Sequence, residues 1–399
     1  MNLSSSAKAA AAPALLAATL FLVSLNLRPA LSGMAPLLEA IRSATGLSAA
    51  GAGVLTTLPV LCFGLIAPVG AMLAQRFSIR RTVLAGLLLL ALSLGLRVVG
   101  GLPALFAGTF AAGAAIGVVM VLLPGIIKRD FAQNVGLMTG LYTMALSLGA
   151  ALGAGLAVPL AQLGADDNWR LSLALWAAPA VIAAAAWAAC APADGGAGGQ
   201  NRGAGMRALF GDALAWQVAG FMGLQSLLAY CVFGWLPTML IDRGMTPLAA
   251  GAALSVSIAA QLPATLAGPW IAGRGRDQRM AVLALMVVMM AGLAGCLYAP
   301  PGQVWWWVVL LGIGQGSSFT IATLLVVLRS PDTRTVAALS GMTQLVGYLL
   351  AACGPFITGL LYDWSGGWNA PAVFFALAAL AALAAGLGAG RKRFVHARE

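Results

Sequence analysis

From Ala11 to Ile41 the chain reads AAPALLAATLFLVSLNLRPALSGMAPLLEAI, a long apolar run with one charge deep inside it, Arg28. A run of this length exceeds the ~20 residues that cross a ~30 Å hydrocarbon layer at ~1.5 Å per residue, so it is expected to span a bilayer with some tilt. Glu39 and Arg42 mark its far end. Counted along a continuous helix, Arg28 lies roughly 16 Å deeper than Glu39. An unpaired guanidinium at that depth costs from ~2.5 to more than ~10 kcal/mol, so it must face protein or a watery cavity. The competing reading is a structural arginine, snorkelling to the interface or held by backbone carbonyls. Snorkelling is awkward from that depth.

Eleven more apolar runs follow: 48–74, 83–99, 102–127, 136–163 and 171–190, then 213–241, 248–272, 281–299, 304–328, 336–361 and 370–388. Between the two sets of six lies APADGGAGGQNRGAGMRALFGD, residues 191–212, whose Gly-rich polar composition reads as a flexible cytoplasmic linker. The chain is 61% hydrophobic and 8% charged. Soluble domains carry about 25% charged residues, so this is the composition of an all-α polytopic membrane protein. A net charge of +11 raises the question of nucleic acid. The basic residues, however, sit in short clusters between apolar runs, as cytoplasmic loops do, and no nucleic-acid partner is expected. Cys62, Cys190, Cys231, Cys296 and Cys353 fall inside or at the edge of apolar runs with no CxxC pair. They read as buried small hydrophobes, not as a disulfide framework or a zinc site. The first run is long enough to remain a span, so no signal-peptide cleavage is expected.

Orientation follows from Lys and Arg. With a cytoplasmic N-terminus, one face collects 17 of the 22 basic residues, from Lys8 to Arg398. The other collects Arg42, Arg97, Arg170 and Arg243, together with Asp166, Asp167, Asp242 and Asp363. Both termini are therefore expected in the cytoplasm, with the protein integral to a bacterial cytoplasmic (inner) membrane.

The halves repeat. Leu47-Ser48-Ala49-Ala50-Gly51-Ala52 returns as Pro247-Leu248-Ala249-Ala250-Gly251-Ala252. Leu58-Pro59 and Pro68 return as Leu262-Pro263 and Pro269, Gly140 as Gly341, and Trp169 as Trp368. An even number of spans per half gives parallel repeats about an axis along the membrane normal, with a solute site between them near the midplane. The expected units are a six-helix bundle over 1–190, the linker 191–212, and a second bundle over 213–399 ending in a short cytoplasmic tail.

Several segments carry a family pattern. The loop Leu73-Ala74-Gln75-Arg76-Phe77-Ser78-Ile79-Arg80-Arg81 resembles the loop between spans two and three of major facilitator transporters, with Gln75 in place of the usual Asp and Ser78 in place of the usual Gly. Asn26-Leu27-Arg28-Pro29, Leu55-Thr56-Thr57-Leu58-Pro59-Val60, Leu122-Leu123-Pro124 and Ile127-Lys128-Arg129-Asp130-Phe131 add to it. So do the stretch from Gly136 to Thr143 and Leu224-Gln225-Ser226-Leu227 leading to Trp235-Leu236-Pro237. Together they resemble the cyanate-permease and nitroimidazole-transporter branch of the major facilitator superfamily. The resemblance covers all but the termini and the linker. It implies twelve helices in two pseudo-symmetric bundles and a small solute, anionic or polar and planar.

Apart from Arg28, the runs carry no charge near the middle: none has an Asp or Glu there. Glu39, Asp212, Asp242 and Asp363 sit near run ends, and the single histidine, His396, lies in the tail. A carboxylate or histidine proton relay has no members here. A bound anion is then the economical partner for Arg28, whose planar fork of donors suits carboxylate-like groups. Carbonyls freed by Pro29 are the structural alternative. Neutral polar residues recur at helical spacing in the other runs: Ser226 and Tyr230 beside Gln225, Gln315 and Ser318, Gln344 and Tyr348, then Gln261, Tyr142 and Thr143. Each alone is readable as interhelical glue. As a set with Arg28, the residues Tyr142, Gln225, Ser226, Tyr230, Gln261, Gln315, Gln344 and Tyr348 form the candidate solute site. Gly140, Gly149 and Gly153 follow a spacing seen in some drug antiporters and read first as packing residues. Arg76, Arg80, Arg81, Lys128, Arg129 and Asp130 form a candidate cytoplasmic gate, in which Arg76 and Arg80 approach Asp130.

The sequence supports a secondary transporter working by alternating access, acting as a monomer on a small molecule within the lipid bilayer, with no cofactor and no metal. One rival is efflux of hydrophobic drugs, favoured by the many Met, Trp and Phe residues. Another is a membrane sensor on the same scaffold, which should carry a signalling segment beyond the short linker and tail. An enzyme is disfavoured, since no nucleophile–base arrangement or metal-ligand cluster is visible.

Overall fold

The computed structural model describes residues 3–163, 168–190, 209–273 and 277–395. Asp166, Asp167, His396 and all but the last four residues of the expected linker lie outside these. The described residues are helical with no strand. Helices α1 (Leu3–Leu25), α2 (Pro29–Ser32) and α3 (Leu38–Thr45), with a 3-10 turn at Ala35–Leu37, make up the first span. The second is α4 (Ala49–Leu65) continued by α5 (Ala67–Phe77). Next come α6 (Ile79–Leu96), α7 (Leu102–Asp130), α8 (Val135–Ala161), and the pair α9 (Trp169–Leu175) and α10 (Ala177–Cys190). The remaining helices are α11 (Ala213–Asp242), α12 (Pro247–Gly273), α13 (Arg279–Tyr298), α14 (Val304–Leu328), α15 (Thr333–Ser365) and α16 (Asn369–Ala389).

Among the described residues, eleven spans are long and apolar enough to cross a membrane. The twelfth, Ala49–Leu65, is shorter and reaches span length only with α5 beyond the break at Ile66. Side chains at span entrances fix where several helices begin. Ser48 accepts from the Gly51 amide at 3.1 Å, and Asp212 accepts from Leu214 and Ala215 at 2.7 and 3.0 Å. Each satisfies amides that a helix start leaves orphaned.

The first span corrects the continuous helix assumed above. Pro29 and Pro36 lack the N–H that helical bonding needs, and the chain turns at Asn26–Arg28 before restarting as α2 with Arg28 at its N-cap. The 16 Å rise along a straight helix (~1.5 Å per residue) therefore does not hold. Facing glycines on α8 seat the break. A Cβ at Gly149 would stand 2.0 Å from the Leu25 carbonyl oxygen, and one at Gly153 would stand 2.7 Å from the Pro29 Cα. The packing reading of these two glycines thus gains a specific object; at Gly140 a Cβ would meet nothing.

Helices up to α10 pack mainly among themselves, as do those from α11 onward, and the two groups meet through α4 on α15 and α8 on α12. Large aromatics fill the interior, with Trp187, Trp235, Phe221 and Phe375 fully buried. Leu88, Leu92 and Leu96 on α6 and Leu377 and Leu380 on α16 face outward, as expected where the surrounding solvent is hydrocarbon. Two details differ from the sequence expectation. Cys353 is exposed and Cys190 half-buried, so neither is a buried hydrophobe. Arg97, read above as an outer-face loop charge, is 1% exposed.

Candidate binding site

A cavity of about 770 Å³ lies between the two groups of helices. All nine residues singled out above line it: Arg28, Tyr142, Gln225, Ser226, Tyr230, Gln261, Gln315, Gln344 and Tyr348. The break in the first span brings Arg28 there. Its guanidinium shares the cavity with three phenols, those of Tyr230, Tyr348 and Tyr142. Among the described residues, no carboxylate acts on it. Its Nε has no hydrogen-bond partner. The repeat aligns Arg28 with Ala229–Tyr230, and the two positions meet in space as a cation beside a phenol.

The amides are held differently. Gln225 Nε2 donates to the Met222 carbonyl at 3.0 Å and to Ser226 Oγ at 2.7 Å, so that donor group is committed within its own helix. Gln261 Nε2 donates to Gln315 Oε1 at 3.3 Å, linking α12 to α14. Gln344 is exposed to the cavity. Phe63 meets Tyr348 edge-on with ring centroids 5.8 Å apart, and Phe233 lies 5.9 Å from Tyr230. The wall is therefore mostly apolar, with one cation and a few neutral polar groups, the usual make-up of a small-molecule site.

The cavity is closed toward Asp363. On that side Asp363 bonds the Ala49 and Ala50 amides, Thr57 Oγ1 donates to the Ala352 carbonyl at 2.9 Å, and Ser255 Oγ donates to Ala151 at 2.8 Å. All four bonds join the first group of helices to the second. A small pocket of about 20 Å³, lined by Thr56, Pro59 and Phe233 among others, lies there. That is about the room one water needs. The opposite wall reaches Pro124, Thr265 and Ser340, toward the basic ends of the helices.

A family model described as the Major Facilitator Superfamily matches residues 15–352. The chain belongs to that superfamily. It is 36% identical over 382 residues to the 2-nitroimidazole transporter of Escherichia coli (strain K12), covering 96% of each chain. To the cyanate transport protein CynX of the same organism it is 30% identical over 359 residues, 90% of this chain and 92% of that one. Among solved structures, that of nucleoside transporter NupG matches with a TM-score of 0.75 at 16% identity, over 93% of this chain and 98% of the other. That likeness concerns the fold alone. The branch that the sequence motifs resembled is the one these relatives come from.

In this major facilitator protein the six candidate gate residues lie away from the cavity wall. Arg129 binds its neighbour Asp130 through two bonds of 2.7 and 2.9 Å. Arg80 reaches across to the Ala188 carbonyl at 2.6 Å, while its own carbonyl accepts from Trp187 Nε1 at 3.0 Å. Arg76 stacks over the Phe77 ring at 5.4 Å, and Arg81 and Lys128 are exposed. Arg80 thus ties the loop to the sixth span.

Sequence reasoning missed other lining residues, among them Phe63, Ser147, Phe233, Thr265, Phe319 and Ser340. A signal was available for several. Thr265 and Phe319 lie four residues beyond Gln261 and Gln315, and Ser340 lies four before Gln344, on the faces already chosen.

Proposed function

We propose that this protein carries a small anionic or polar planar solute across the membrane by alternating access, with residues 1–190 rocking against 213–399 around the central cavity. One observation carries the reading: Arg28, inside the cavity, is surrounded by neutral phenols and has an uncommitted Nε. A buried cation without a carboxylate partner is costly, and a solute bringing negative or electron-rich density relieves that cost. The relatives named for 2-nitroimidazole and cyanate transport support a small solute that is either polar and planar or anionic. The closed Asp363 side and the reach of the cavity toward the basic side support one end state of such a cycle, and the basic side is read as cytoplasmic. The aromatic wall of Phe63, Phe233 and Phe319 favours a second reading, efflux of hydrophobic compounds.

The test is ligand binding by thermal shift and titration calorimetry, using purified protein with benzoate, 2-nitroimidazole and an uncharged hydrophobic dye. A binder stabilises the folded state by mass action. Arg28→Gln removes the charge and keeps some length. Loss of a charge-assisted hydrogen bond worth ~1.5–3 kcal/mol predicts roughly 10- to 150-fold weaker binding of the first two. Unchanged binding in a well-folded variant overturns the anion reading. Dye binding alone in the parent protein favours efflux.

A further inference from the structure

The cavity holds a second polar feature, built from other elements than the one at Arg28. Gln261 on α12 and Gln315 on α14 lie where these helices touch backbone to backbone. A Cβ at Gly312 would stand 2.0 Å from the Ser257 carbonyl oxygen, and one at Gly316 would stand 2.7 Å from the Gln261 carbonyl oxygen. Small residues at this spacing let two membrane helices approach closely, and here they clamp the backbone on either side of both glutamines. On the third side, a Cβ at Gly314 would meet the Met289 backbone nitrogen at 2.6 Å, so α14 is also pressed against α13. The pair is preorganised by its scaffold.

Its hydrogen bonding is incomplete. Each glutamine amide offers two donors and a carbonyl. One bond joins Gln261 Nε2 to Gln315 Oε1. Gln315 is 2% exposed, yet its own Nε2 has no partner. A buried donor left unmade is unfavourable, and native proteins rarely leave one without a reason. Exchanging the oxygen and nitrogen of both amides reverses the direction of the bond. Either way, one member keeps free donor hydrogens and the other a free carbonyl. The pair therefore offers free donor hydrogens and a free carbonyl, and no charge.

We propose that Gln261 and Gln315 form a second recognition pole, which takes a group that both donates and accepts, such as a carboxamide, on a planar ring whose anionic group lies at Arg28. This rests on the reading of Arg28 given above. The neutrality of the pole sets the selectivity. A second carboxylate there would meet amides and no cation, so the pole selects for carboxamide over hydrogen and against a dianion.

Three probes test it: benzoate, 4-carbamoylbenzoate and terephthalate, titrated into the purified full chain. The parent is expected to bind 4-carbamoylbenzoate about 10-fold more tightly than benzoate, and terephthalate more weakly than either. Gln315→Met keeps length and removes the amide. It should weaken 4-carbamoylbenzoate about 10-fold more than it weakens benzoate, abolishing the parent's preference between the two. Gln261→Met should do the same, and serves if the first variant unfolds. Equal affinity of the parent for benzoate and its 4-carbamoyl derivative overturns the second pole and leaves the Arg28 reading intact. So does an equal loss for both probes in the methionine variants. A parent that binds neither probe overturns both readings.

Discussion

Asp363 caps the helix that begins at Ala49: its carboxylate accepts from the Ala49 amide at 3.1 Å and from the Ala50 amide at 2.7 Å. The two groups of helices are joined by a charge placed at a helix N-terminus, where four amides lack internal partners and the helix dipole favours an anion. The surrounding contacts leave little room to slip. A Cβ at Gly359 would stand 2.3 Å from the Ala49 carbonyl oxygen, and one at Gly53 would stand 2.7 Å from that of Pro355. Beside them, Tyr362 and Trp368 both donate to Asp242, at 2.7 and 2.8 Å, and Arg42 stacks over the Tyr362 ring.

Removing that charge should open this side. Asp363→Asn keeps the shape and gives up the charge-assisted bonds, shifting the balance of states by about 1.4 kcal/mol, a factor of about 10. The readout is a cysteine at Thr56, which lines the 20 Å³ pocket on the closed side, in a background without the five native cysteines. A membrane-impermeant thiol reagent applied from the Asp363 side should label it about 10-fold faster in the variant, following the population shift. Equal rates would show that backbone packing alone holds this side shut.

Ser78 has a backbone that glycine fits better. Between α5 and α6 it adopts φ 86° and ψ 153°, and it is the only non-glycine with positive φ among the described residues. Side chains in that region cost about 1–3 kcal/mol. The hydroxyl returns little, since its bond from the Arg81 amide is long at 3.5 Å, and replacing a serine cap by glycine costs only a few tenths of a kcal/mol. Ser78→Gly is therefore expected to stabilise the protein by about 1 kcal/mol, seen as a higher Tm in detergent. A lower Tm would mean that the cap outweighs the strain.

How much was legible in the sequence can be judged from these same residues. Gln315, Gln344 and Tyr348 were found because a polar side chain inside an apolar helix is costly and rare, so each stands out, and helical spacing assigns it a face. The first-span break was not found, although Pro29 was in plain view. A proline serves equally as a kink or as the first residue of a new helix. What decides between them is the close seat offered by Gly149 and Gly153 on α8, which only the folded chain brings opposite. The Asp363 cap was invisible for the same reason: a carboxylate near a span end is ordinary, and its partner is a backbone amide with no side-chain signature. The gate residues were legible as a charged loop; the bond from Arg80 to the Ala188 carbonyl was not, because its acceptor is a backbone group with no side-chain signature.

Arg97 is the residue that sequence position most misplaced, and it carries the last prediction. It is buried beside Gly108, where a Cβ would stand 2.3 Å from its own, and it donates to the Ala30 carbonyl at 3.4 Å and the Leu173 carbonyl at 3.2 Å. Ala30 needs such a donor because of the break: the Met34 amide bonds to Leu31 instead. Arg97 thus holds the short helix that starts just after Arg28. Arg97→Met leaves two buried carbonyls without donors, at about 1–3 kcal/mol each, while relieving the cost of a buried charge; a net loss of about 2 kcal/mol in stability is expected. A positioning role also predicts an effect that lost stability alone would not produce. Benzoate, which depends on Arg28, should bind at least fivefold more weakly, while neutral benzamide should change by less than twofold, on the order of 1 kcal/mol of difference. Arg97→Lys keeps the charge without the fork and should fall between. If Arg97→Met binds benzoate and benzamide in the parent's ratio, Arg97 supports the fold and has no part in placing Arg28.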